Sequence, residues 1–141
     1  MNLSPISFDL ILEKKFHLME ITQTEIEEIK KFVSDLNKES APIIVEGKKD
    51  TSALKSIGVM GKIFEFNKFQ GMTDFSDHVS KFEKIIILFD KDRHGSTLVK
   101  KSFRILDRRT KLDLRYKSRL GKITKGKIKC VEELKMYEDL I

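Results

Sequence analysis

Apolar positions along this chain alternate between two spacings. From residue 24 to 38, Ile26, Ile29, Phe32, Val33 and Leu36 recur every three or four residues, which predicts an amphipathic helix. Thr24 with Glu27 reads as its capping box. Glu25, Glu27 and Glu28 come early and Lys30, Lys31 and Lys38 late, as the helix dipole favours. Ser40-Ala41-Pro42 stops the helix, because the residue before proline is pushed out of the helical region. Short β-branched and aromatic runs then predict strands at Ile43 to Glu46, Lys62 to Phe66 and Ile85 to Asp90. A fourth strand is predicted over Lys111 to Tyr116, with Leu112 and Leu114 on one face.

Helical patterns separate the strands. One runs from Thr51 to Ile57, started by Asp50 and closed by Gly58. A loop around Gly71 covers Asn67 to Met72. Thr73 then caps a helix whose apolar positions are Phe75, Val79 and Phe82. A third helix spans about Ser96 to Arg108, with Leu98, Val99, Phe103 and Leu106 turned inward. Val131 to Leu140 reads as a short terminal helix, whereas the stretch 117–129 is too Lys-rich to assign. Residues 1–20 settle into no clear period. Ser4-Pro5 could open a helical turn there, and Met19 stands where an alternative translational start could lie. Strands alternating with helices predict an α/β fold: a compact sheet of about four mainly parallel strands, flanked by helices on both faces and joined by right-handed crossovers. The expected organisation is an N-terminal helical extension over 1–40, then one domain over 41–141 that includes a basic C-terminal segment.

Charge narrows the partner. The chain has 141 residues and a net charge of +6, with 35% charged residues. The excess is local: from Ser96 to Lys129 there are 13 Lys and Arg against two acids. A concentrated basic surface suits a polyphosphate partner, although alone it could equally be a solvated face. Arg104, Arg108 and Lys122 are candidate phosphate contacts within it. Neither a membrane-spanning apolar run nor a secretory pattern is present, and Cys130 is the only cysteine. The expectation is a cytoplasmic protein with no membrane association. Cys130 reads as a small core residue rather than a nucleophile.

The candidate chemistry sits where two apolar runs end in acids. The first is Ile43-Ile44-Val45-Glu46-Gly47-Lys48-Lys49-Asp50 and the second Ile85-Ile86-Ile87-Leu88-Phe89-Asp90-Lys91-Asp92-Arg93-His94-Gly95. Sites in open α/β sheets form at the carboxyl ends of strands. Two such ends side by side would gather Glu46, Asp90 and Asp92, whose mutual repulsion calls for a hard cation such as Mg²⁺, with Mn²⁺ as a substitute. Gly47 and Gly95 would let backbone approach a phosphate closely. Lys48, Lys49, Lys91 and Arg93 flank the acids, and Arg93, with its bidentate fork, is the strongest phosphate candidate among them. His94, beside a solvent-facing turn, reads as incidental. Asp50 either helps hold metal or caps its helix. The second motif is not an EF-hand loop, because its twelfth position is Lys101 where a bidentate glutamate is required. Arg93 stands where a haloacid-dehalogenase phosphatase has Thr or Val, and a response-regulator receiver carries its acid pair on the first strand.

In order, spacing and strand context the two motifs resemble the Toprim domain. That module is shared by topoisomerases, bacterial-type primases, nucleases of the overcoming-lysogenisation-defect type and the 5S ribosomal RNA maturase. The resemblance covers roughly residues 41 to 130 and is nearest to small stand-alone members. It implies a Rossmann-like Toprim fold in which Glu46 is the general acid–base residue, Asp50 matches the second acid of the first motif, and Asp90 and Asp92 hold Mg²⁺. It further implies action on nucleic acid, with RNA preferred to DNA and phosphodiester cleavage the expected reaction. Strand passage is not expected, because Tyr116 and Tyr137 have no topoisomerase-like context. The competing expectations are a non-catalytic module binding RNA or a ribonucleoprotein, and primase-like nucleotidyl transfer with a protein partner, which would dock on the helix at 24–38.

Overall fold

The computed structural model describes residues 21–106 and 108–141. The readings placed on residues 1–20, including Ser4-Pro5 and Met19, lie outside the described residues. Four strands form one parallel sheet: β1 (Ile43–Val45), β2 (Ile63–Glu65), β3 (Lys84–Ile87) and β4 (Lys111–Asp113), in the order β2-β1-β3-β4. Among the described residues five α-helices accompany it: α1 (Gln23–Lys38), α2 (Lys48–Ser56), α3 (Met72–Val79), α4 (Arg93–Leu106) and α5 (Arg115–Ile123). Phe66–Lys68 and Val131–Tyr137 are 3₁₀ turns.

The sheet is covered on both faces, which is why its central strands read as unbroken apolar runs. Successive side chains alternate between the faces. Ile43, Val45, Ile86 and Leu88 join one core with α1, α2, α5 and the final 3₁₀ turn. Ile44, Ile85, Ile87 and Phe89 join the other, against Phe75 and Val79 of α3 and Leu98 and Leu106 of α4. The apolar face of α1, formed by Ile29, Phe32, Val33 and Leu36, is wholly taken up in the first core.

Several boundaries differ from those the sequence suggests. α1 is capped by Thr22, whose hydroxyl accepts from the Glu25 N–H at 3.1 Å, and not by Thr24. Glu25 is thereby turned inward, where it accepts from the Tyr137 hydroxyl (2.9 Å) and pairs with Lys127 (2.9 Å). α2 begins at Lys48, with Asp50 at its third position, and Gly58 follows its end at φ +101°. α3 is capped by Gly71 (φ +90°) rather than Thr73. Phe103 is 48% exposed, not inward. The buried stripe of α4 runs Leu98, Ser102, Leu106, so a residue five past Leu98 falls off it. Ser102 is tolerated inside because its hydroxyl donates to the Leu98 carbonyl at 2.7 Å.

β4 stops at Asp113, and α5 occupies the start of the unassigned Lys-rich stretch. Leu112 and Leu114 do pack against one face, as their alternation suggests. The terminal element is a 3₁₀ turn because Val131, Leu134 and Tyr137, all buried, repeat every three residues. Asp113 explains the abrupt strand end. Its carboxylate accepts from the Arg115 N–H (2.9 Å), Nε (3.0 Å) and Nη2 (2.8 Å), and lies 3.4 Å from Lys84 Nζ.

The Arg115 hydrogen bonds hold the Asp113 carboxyl down at about 2, against the opposing cost of burial. A carboxyl depressed in the folded state stabilises the fold above its unfolded pKa of 3.8, and that contribution is lost as pH falls through about 2. We expect Asp113→Asn to lower stability at pH 7 by about 2 kcal/mol at most, since Arg115 is 71% exposed and water screens its end of the pair. Urea unfolding at pH 7 and at pH 2 checks this: the gap between wild type and variant should close at the lower pH.

A candidate acidic site at the carboxyl edge of the sheet

The chain leaves β1 toward β2 on one side and later enters β3 on the other, so the strand order reverses between β1 and β3. That crevice is the expected ligand position in a doubly wound sheet. Glu46 follows β1, and Asp90 lies just beyond β3. Parallel pairing of Ile43 with Ile86 and of Ile44 with Ile87 sets their two tips side by side. The Glu46 carboxylate accepts a hydrogen bond from the Asp90 backbone N–H at 2.7 Å.

Each acid is held by a backbone donor. Asp90 Oδ1 accepts from the Val131 N–H at 2.9 Å, tying the site to the terminal 3₁₀ turn. Asp92 Oδ1 accepts from the Gly95 N–H at 2.7 Å and caps α4, which begins at Arg93 rather than Ser96. Asp50, 6% exposed, accepts from the Gly47 N–H at 3.1 Å and so ties the N-cap glycine to the first turn of α2. Of its two sequence readings, the capping bond is the one present in the structure. In Glu46, Asp90 and Asp92 the bound N–H occupies one carboxylate oxygen, leaving the other outside these bonds.

Crowding of negative charge is visible in the pKa shifts. Burial raises Glu46 above the usual carboxylate range, and the Asp90 and Asp92 carboxylates push it further, against the pull of the Asp90 N–H. Burial likewise raises Asp50, with Asp90 and Glu132 adding to it. For both groups the folded state holds the proton more tightly than the unfolded chain. Their ionisation therefore opposes folding, and stability from this source rises as pH falls through the raised values. Cys130 is pushed up to about 11, first by burial and then by Asp90, so it remains a thiol.

Two residues acquire importance only in three dimensions. His94 Nε2 lies 3.6 Å from Glu46 Oε1, although its ring is largely exposed, so the supposedly incidental histidine is in the site. Lys117, on α5, is half buried; desolvation lowers its pKa while Glu46, Asp92 and Asp90 all act to raise it. It lies in the field of the three acids. In sequence it is one lysine in a Lys-rich stretch, and nothing but the α5 helical register distinguishes it.

The remaining candidates separate into near and far. Gly47, Lys48, Arg93 and Gly95 sit at the same strand tips, and the Lys48 and Arg93 side chains are exposed. Lys122 lies on α5 beside the cleft that Lys91 and Lys117 line. Arg104 is exposed on α4, about 16 Å along the axis from Arg93 by helical rise, and Arg108 (φ +62°) lies beyond the end of α4. The structure does not bring these two arginines to the acids.

The donor set consists of carboxylate oxygens, which suits a hard ion that keeps most of its water. Among the described residues, no three or more His, Cys, Asp or Glu side chains form a ready-made metal cage. The fit is therefore to a Mg²⁺ held through one or two carboxylates and water, not to a fully enclosing ligand shell.

A parallel α/β domain with acids massed at its topological switch point defines the class. The Toprim domain family matches residues 41–128. The UPF0292 protein of Methanosarcina barkeri is 36% identical over 126 residues, covering 84% of this chain and 86% of the relative. That of Pyrococcus furiosus is 31% identical over 108 residues, covering 77% and 82%. A solved structure from Aquifex aeolicus superposes with a TM-score of 0.59 at 29% identity, covering 73% of this chain and 94% of that one. The chain belongs to the Toprim domain family, as a relative of its UPF0292 proteins. That membership associates it with metal-dependent action on nucleic acid. Among the described residues, no helix is long and apolar enough to cross a membrane.

Gly95 offers a test of the site's construction. A Cβ there would collide with the Asp90 carbonyl oxygen. Glycine-to-alanine changes in helices ordinarily stabilise by about 1 kcal/mol. Gly95→Ala should instead destabilise by about 1–3 kcal/mol, as overpacked sites do. A thermal melt that rises on this substitution would contradict the close approach of α4 to the β3 tip.

Proposed function

We propose that this protein is a Mg²⁺-dependent phosphodiesterase acting on nucleic acid, with RNA favoured over DNA by family resemblance. The observation carrying the proposal is the Glu46 carboxylate fixed on the Asp90 N–H, with Asp90 and Asp92 near enough to raise its pKa. Asp90 and Asp92, each anchored by a backbone N–H, would hold the ion. When bound, Mg²⁺ would supply positive charge to the phosphate oxygens. Glu46 accepts the proton of the attacking water as its oxygen bonds to phosphorus and the ester P–O bond breaks. His94, 3.6 Å from Glu46, would steady or relay that proton, and Arg93 and Lys48 would hold neighbouring phosphates.

One observation favours a second reading. Lys117 lies in the field of the three acids, as a structural counter-ion would in a non-catalytic module that binds RNA through its basic surface. Metal-dependent turnover separates the two. Purified protein is incubated with labelled structured RNA, single-stranded DNA and duplex DNA, in Mg²⁺, Mn²⁺ or chelator. Cleavage should require the ion and fall at least about 100-fold in Glu46→Gln. Mn²⁺ should raise the melting temperature of wild type, and the rise should disappear in Asp90→Asn and Asp92→Asn, which keep an acceptor for the Val131 and Gly95 N–H groups. Binding without cleavage in any condition, with no ion-dependent shift in melting, would favour the module.

A further inference from the structure

Beside the acids, α4 and α5 diverge to leave a cleft of about 600 Å³. Its size falls among small-molecule sites. Its chemistry is two-sided. Val99 and Leu114, both packed on the second core, give it an apolar wall. Lys91, Lys100, Lys117 and Lys122 contribute four cations, and no acid lines it. A purely apolar ligand would not call for four lysines, and inorganic phosphate would not use an apolar wall. The ligand that uses both is an anion carrying a flat, weakly polar body.

We propose that this cleft seats one nucleotide unit, base against Val99 and Leu114 and phosphates among the lysines. The inference rests on the phosphodiesterase reading and deepens it. Lys117 both lines the cleft and lies in the field of Glu46, Asp90 and Asp92, so a nucleotide seated there presents its phosphate at the acids. Lys91 lies on the segment between Asp90 and Asp92 and reaches the opposite wall, where its Nζ is 3.5 Å from the position a Cβ would take at Gly121. The polar groups available to a base are the hydroxyls of Ser96 and Ser118, with no amide, carboxylate or aromatic ring among the lining side chains. Such a wall holds a base by shape and leaves its identity unread, so binding should be tolerant of sequence. The same nucleotide chemistry could arrive as a free nucleoside triphosphate or as the end of a strand.

Gly121 permits a test that blocks the cleft without removing charge. A Cβ added there meets only the flexible tip of Lys91, and replacing a helical glycine favours α5. Fluorescence anisotropy is measured on the full chain in chelator, so that no cleavage occurs, with a labelled 5′-phosphorylated hexanucleotide as probe. The unlabelled hexanucleotide, ATP, inorganic triphosphate and polyglutamate serve as competitors. Gly121→Leu should weaken probe binding about tenfold or more, with an unchanged circular dichroism spectrum. The double variant Lys100→Glu/Lys122→Glu, altered only at exposed rim positions, should do the same and covers the case in which Gly121→Leu fails to fold. Tighter competition by the hexanucleotide identifies a strand end, and tighter competition by ATP a free nucleotide; both support the site. Binding by Gly121→Leu within about twofold of wild type overturns it, as does competition by inorganic triphosphate or polyglutamate equal to that of ATP. The two proposals fail separately. Cleavage with an unchanged KM in Gly121→Leu sinks the cleft and leaves the enzyme. Cleft-dependent nucleotide binding with no cleavage in any metal sinks the enzyme and leaves the cleft.

Discussion

The structure depends on one pairing, that of β1 with β3. Both strands are buried on both faces, so their register is fixed by side chains packing upward and downward at once. A slip of one residue would exchange every contact between the two cores. That rigidity lets two three- and four-residue strands hold Glu46 and Asp90 in hydrogen-bonding distance against the repulsion between their carboxylates. The surrounding helices complete the packing: α1, α2 and α5 on one face, α3 and α4 on the other.

Electrostatics at the strand tips is built from opposed demands. Burial and like charge drive Glu46 and Asp50 toward the protonated form, while backbone N–H groups favour the ionised form. Lys117, half buried in the field of these acids, carries a desolvation cost of its own. A site in this condition gains from an incoming cation, and the lysines of the α4–α5 cleft draw in the anion such a cation would meet. Acids and lysines are thus segregated by a few residues, with Lys91 and Lys117 at the boundary.

Much of this was legible in the residues. Ile43–Val45 and Ile85–Ile87 announce interior strands by composition and length, and the acids that follow them mark the carboxyl edge. The parallel sheet and the Toprim resemblance follow from those two segments and their order. Local capping was less legible. Thr22 and Thr24 are both plausible caps, and the choice fell to Thr22 because it lets Glu25 reach Tyr137, more than a hundred residues away. Phe103 is apolar yet lies off the buried stripe, because the four-residue spacing from Leu98 puts Ser102 inside. Arg104 and Arg108 are basic and follow the acids in sequence. α4 carries them away from the site.

By itself, the sequence determined the strands, their acidic ends and the family, because these are local patterns of apolar period and residue type. The tertiary structure alone decided which lysine is buried in the field of the acids, that His94 approaches Glu46, that Asp50 accepts from the N-cap N–H of its helix, and that a basic cleft opens between α4 and α5. Those outcomes depend on the angle and register at which separate elements pack. No local pattern carries that information, because the energies that set it come from contacts between residues distant along the chain.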